Sequence, residues 1–246
     1  MRSPASSVDR AGRPFDLLSL ARALTAASEH ALVWKGAGSL VSAGDLDCAV
    51  PRRAWPAVED AFRAWVTEEG MAATIACTHA IGVQVLVGCG GAAGSDLLQV
   101  DLVDAKLVHG VPVWTADDLH GVAVVEGGMR RLPAGAEGVA RVLAHRSDVG
   151  GRELLHGDSS AVALARVLGA RGRLALRRGL ASRLALELML AGRAPAAPVS
   201  LARSVATDRA RRRCLVLRAL GTGRRVAEPV EAWLAAVETD HEVTRA

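Results

Sequence analysis

A chain of 246 residues, half of them apolar and 23% charged, has the composition of an ordinary globular protein and is long enough to build a core without disulfide or metal staples. That excludes a disordered chain, a collagen-like repeat and a small disulfide scaffold. The net charge of +4 conceals an asymmetry, because residues 1–130 carry 10 basic and 15 acidic side chains whereas residues 131–246 carry 20 arginines and 11 acids; the basic half either attracts phosphates and nucleic acid or places arginine on solvated helix faces.

Residues 1–13 read as a disordered leader, without the apolar run of a signal peptide behind their basic residues. Helical spacing of Leu17, Leu20, Ala21 and Leu24 predicts a helix over 16–31, with Asp16 as its N-cap. The apolar run Ala31-Leu32-Val33-Trp34 predicts a strand, followed by the small-residue turn Gly36-Ala37-Gly38-Ser39. Asp45 to Val50 alternates like a strand and stops at Pro51. Trp55, Val58, Ala61, Phe62 and Trp65 mark one face of a helix over 54–69. Strands follow at 72–77, 81–88 and 97–103, the last two forming an antiparallel hairpin around a Gly-rich tip. Val111 to Trp114 predicts a short edge strand, where Pro112 is tolerated.

Beyond about residue 135 helical periods take over, at 135–146, 158–169, 173–191, 199–220 and 228–238. The expected architecture is therefore α+β. Strands with flanking helices occupy residues 14–130, and a mainly α-helical domain occupies residues 131–246. The segment Met71–Ser95 lacks charge, but its glycines, His79, Gln84 and alternating centre read as buried strands rather than a membrane span. Cys48, Cys77 and Cys89 lie in apolar runs without any CxxC pair and read as small buried hydrophobes in a reducing compartment, so a cytoplasmic location is expected. His79, His109 and His120 have no metal-ligand spacing.

The chemistry concentrates in Gly44-Asp45-Leu46-Asp47-Cys48-Ala49-Val50. Two carboxylates two apart on a strand share one face, with Cα atoms about 6.5–7 Å apart. Gathering them is costly unless a cation relieves the repulsion, and their hard oxygens suit Mg²⁺ or Mn²⁺. Asp101 interrupts the apolar run Leu97 to Val103, and a lone acid there needs a partner. If its strand lies beside 45–50, Asp101 becomes a third carboxylate, with Asp104 as the competing acid. Three converging acids can hold two metal ions for in-line phosphoryl or nucleotidyl transfer. Lys35 can meet a phosphate as a point charge or lie along the surface, and Trp34 and Trp114 can stack on a base or pack in the core.

This order resembles the nucleotidyltransferase fold, the polymerase-beta-like superfamily: helix, strand, Gly-Ser turn, Asp-x-Asp strand, helix, then a strand with one Asp. The string Trp34-Lys35-Gly36 followed by Gly44-Asp45-Leu46-Asp47 is similar to that of uncharacterised bacterial members, and the resemblance covers about residues 30–115. It implies a mixed sheet with flanking helices, and that Gly38 and Ser39 contact a nucleoside triphosphate. It implies that Asp45 and Asp47 bind Mg²⁺ (or Mn²⁺), and that Asp101 acts as metal ligand or base. The chain departs from the pattern in one respect: only Leu40 to Gly44 separate Ser39 from Asp45, where the family has around ten residues. The expected activity is transfer of a nucleoside monophosphate from an NTP such as ATP to an acceptor hydroxyl on a small molecule, RNA or protein. The alternatives are a catalytically inactive binding protein of the same fold and a tRNA-modifying, toxin-like enzyme. No membrane partner is expected.

Overall fold

The computed structural model describes residues 15–36, 45–79, 82–90, 96–108, 111–144, 149–155, 159–171, 213–219, 235 and 242–245. The leader, Gly38 and Ser39, the predicted helix over 173–191 and all but Ala235 of that over 228–238 lie outside them.

The chain enters as helix α1, Leu17–Ala27, whose first turn is closed by Asp16 accepting from the Ser19 backbone N–H at 2.9 Å. Strand β1, Leu32–Lys35, pairs antiparallel with β2, Asp45–Ala49. A 3₁₀ turn at Arg52–Ala54 leads into α2, Trp55–Glu68. The meander β3 (Ala72–His79), β4 (Val83–Gly90) and β5 (Asp96–Val103) follows, antiparallel throughout. A small hairpin, β6 (Ala105–Val108) and β7 (Val111–Thr115), leads to the short helix α3, Ala116–His120, which Thr115 and Asp118 close with a capping box. A second hairpin, β8 (Val124–Glu126) and β9 (Met129–Arg131), precedes α4 (Ala134–Ala144), α5 (Val149–Leu154) and α6 (Ser160–Arg171). Strands β10, Arg213–Ala219, and β11, Glu242–Arg245, complete the described elements.

The main sheet among the described residues runs β11-β10-β3-β4-β5-β2-β1-β9-β8. It is mixed: β2–β5, β1–β9 and β10–β11 are parallel, and the other neighbours antiparallel. Alternation along β2 separates two layers. Leu46 and Cys48 join Val100, Leu102 and Leu86 under α1 and α2, with Leu24, Val58 and Phe62 fully buried against them. On the other face Leu32, Trp34, Ala49 and Val103 are buried beneath Trp114, Leu119 and the α4 residues Val139 and Ala140.

The mixed α+β architecture expected from the sequence is present. The second half differs from its expected helical character, because residues 213–219, read as part of a helix over 199–220, form a strand paired with β3, and 242–245 add another. Packing also continues across residue 130: β9 pairs with β1, and α4 shares one apolar cluster with Leu32 and Trp34. Among the described residues no helix is long and apolar enough to cross a membrane.

Candidate active site

The parallel pairing of β2 with β5 decides where the acids lie. Asp45 stands in register with Gln99, Asp47 with Asp101, and Ala49 with Val103. Register partners on adjacent strands project to the same face, so Asp45, Asp47 and Asp101 share the face that carries α4. Protection falls along β2 toward its start. Ala49 is fully buried in the second layer, the Asp47 side chain is 13% exposed, and Asp45 is exposed. The acids therefore line the rim where the α4 layer ends.

Asp101 continues a row across the sheet. Val85 on β4 pairs with it, and Cys77 on β3 pairs with Val85. Both neighbours are buried, giving Asp101 an apolar wall on one side and a carboxylate on the other. Burial, and then the charge of Asp47, push the Asp101 carboxyl up to about 6. Gln99 opposes the rise by donating Nε2–H to Asp101 Oδ1 at 2.8 Å, and Lys106 opposes it through its charge. Burial pushes the Cys77 thiol up to about 12, with Asp101 adding to the effect, and pushes the Cys48 thiol up as well. These thiols are neutral at physiological pH.

Lys35 faces the acids from the other side. Its Nζ lies 2.9 Å from Asp47 Oδ2. Burial by itself would lower the Lys35 ammonium, but the charge and hydrogen bond of Asp47, helped by Asp45, raise it above its usual range. Arg141 on α4 opposes that rise, so a second cation acts on the same spot. Arg141 Nη1 donates to Glu137 Oε1 at 3.3 Å, and that oxygen also accepts the Gly36 N–H at 2.9 Å. Glu137 is buried and thus ties α4 to the end of β1. Gly36 turns the chain there with φ of 74°, a left-handed conformation that favours glycine.

The structure thus brings together Lys35, Asp45, Asp47 and Asp101; Gly38 and Ser39 lie outside the described residues. Asp104 is turned elsewhere. Its Oδ1 accepts the Arg52 backbone N–H at 3.2 Å, and its Oδ2 lies 3.6 Å from Arg52 Nε. Trp34 and Trp114 are core residues, each 1% exposed, with ring centroids 4.9 Å apart. Neither presents an open face for a base to stack on. Gln99, Lys106, Glu137 and Arg141 also take part, and the sequence alone does not single them out. The amphipathic period of α4 reports its buried face but not which polar residue reaches the strand end.

The donor set, three carboxylates on one face, is chemically suited to a hard divalent cation. As they stand, no three such side chains among the described residues are gathered tightly enough to hold an ion. Two specific contacts keep the oxygens engaged, Lys35 on Asp47 and Gln99 on Asp101. Compared with known proteins, the chain has no match: no protein-family model, no curated protein and no solved structure matches it.

Proposed function

We propose that this chain is a divalent-metal-dependent nucleotidyltransferase that moves a nucleoside monophosphate from an NTP to an acceptor hydroxyl. The observation that carries the reading is the in-register pair Asp47–Asp101 on parallel strands, with Asp45 on the same face at the open rim of the second layer. Asp45, Asp47 and Asp101 would hold Mg²⁺ or Mn²⁺, which when bound neutralises the triphosphate and makes its α-phosphorus easier to attack. The acceptor oxygen forms a bond to that phosphorus, the bond to the bridging oxygen breaks, and pyrophosphate leaves. Asp101 would take the hydroxyl proton, as the carboxylate that stands beside Asp47 at the reacting centre. Lys35 and Arg141 supply positive charge beside the acids for the outer phosphates.

A second reading has its own support. Lys35 already neutralises Asp47 at 2.9 Å, as expected of an idle member of the fold that binds a nucleotide or a protein without turning it over. The experiment combines the full-length protein, Mg²⁺ and each of the four NTPs with small-molecule, tRNA and protein acceptors. Pyrophosphate release and added nucleotide mass are the readouts. Release that Asp47→Asn and Asp101→Asn abolish supports the transferase, with the modified acceptor identifying its class. NTP·Mg²⁺ binding without release from any acceptor favours the idle protein.

A further inference from the structure

Strict alternation along β1 would put Lys35 on the same side as Val33, in the core beneath α1 and α2. It does not lie there. Val33 pairs with Cys48 and Lys35 with Asp47, so two steps on β1 oppose one on β2. Such a bulge re-aims a side chain. Here it delivers one of the chain's two lysines to the acidic face, with Nζ on Asp47 Oδ2 at 2.9 Å. The charge of Asp45 adds attraction at longer range.

We propose that Lys35 is a resident stand-in for the divalent cation: it holds Asp47 until a metal ion displaces it, and the displaced ammonium then engages the triphosphate. The proposal rests on the metal-binding reading of the acids given above. A metal ion on Asp47 and the ammonium on its Oδ2 repel each other, so each weakens the hold of the other. Metal entry therefore works against the Lys35 contact. The lysine side chain is 36% exposed against 13% for Asp47, so the lysine is the partner with room to move. Its four-carbon stem lets the charge swing while the backbone stays paired. Once displaced it needs an anion, and the triphosphate that accompanies the metal supplies one. Metal and nucleotide then favour each other's binding, reciprocally.

The test is Mn²⁺ titration of the full-length protein by calorimetry and by electron paramagnetic resonance of free Mn²⁺, at fixed ionic strength, with and without a non-hydrolysable ATP analogue. Lys35→Met should tighten Mn²⁺ binding about three- to tenfold in the absence of nucleotide, the size expected for removing one competing charge at a partly exposed site. It should also reduce the mutual enhancement between Mn²⁺ and the analogue. Lys35→Arg, which keeps the charge, should restore wild-type Mn²⁺ affinity. Lys106→Met is the control for general field effects, since Lys106 acts on Asp101 through its charge; its effect should be smaller. Equal Mn²⁺ affinity in wild type and Lys35→Met, or an equal gain from Lys106→Met, overturns the stand-in role and leaves the metal site intact. If neither wild type nor Lys35→Met binds Mn²⁺, the metal-binding reading itself is overturned, and the stand-in falls with it.

Discussion

Asp101 shows how one residue's environment sets both chemistry and stability. The unfolded chain offers it an ordinary carboxyl near 3.8, and the fold raises it to about 6. The folded state therefore holds this proton more tightly. Its favourable contribution is complete below about pH 4 and is lost as pH rises through about 6, at a cost of about 3 kcal/mol by neutrality. Asp101→Asn keeps the shape and an acceptor for Gln99 but removes the charge. Urea denaturation should find it more stable than wild type by about 1–2 kcal/mol at pH 7.5, and close to wild type near pH 4. A gain of equal size at both pH values would contradict the assignment. The three acids were visible in the sequence because an Asp inside an apolar run is conspicuous. The choice of Asp101 over Asp104 depended on which strand partner each meets, and only the parallel β2–β5 register supplies that. Lys35 was visible as a charge, whereas its aim at Asp47 comes from a bulge that no periodicity announces.

At the scale of elements, close approach is as decisive as apolar burial. In α4, a Cβ built on Gly138 would lie 2.7 Å from the Gly151 carbonyl oxygen and 2.9 Å from the Leu155 nitrogen. Both are backbone atoms and cannot rotate away. In an exposed helix, replacing glycine by alanine gains about 1 kcal/mol. Here the sign reverses, and Gly138→Ala should lower stability by about 1–3 kcal/mol because α5 must move off α4. Thermal unfolding followed by circular dichroism checks this, and a raised melting temperature would show that the two helices can separate freely. The long elements were legible because their patterns are strong, as in the five apolar positions that set one face of α2 and the alternation of β4 and β5. The strands β8 and β9 were missed because three residues carry no period. Their signal was the turn, Gly127-Gly128, whose φ values of 60° and 80° are those of a tight hairpin. Strand β10 differs from its expected helix because the Arg- and Ala-rich stretch before it reads as helix and its short apolar run, Cys214 to Leu217, fits that period as well as a strand.

Across the whole molecule, the sheet is shared between the two halves that charge asymmetry separates. The second core layer draws Leu32, Trp34, Ala49 and Val103 from the first half and Leu132, Val139, Ala140 and Leu164 from the second. A chain ending at residue 130 would expose the first set together and remove Glu137, which anchors Gly36. Such a chain should lose cooperative thermal unfolding and bind hydrophobic dyes, in contrast to the sharp transition expected of the full-length protein. A sharp transition in the shortened chain would establish residues 1–130 as a self-sufficient domain.

The Lys35–Asp47 contact also bears on the order in which the protein is made. Strands β1 and β2 leave the ribosome close together, while β5, which brings Asp101, follows only after α2 and the β3–β4 hairpin. Domains assemble as their segments emerge, and local pairings form ahead of distant ones. The shorter loop therefore favours the contact of Asp47 with its cation over the contact with its rival carboxylate as the earlier to form. With Lys35 on Asp47, β5 closes beside β2 against a neutralised partner, and this pairing of like charges carries its counter-ion within the sheet.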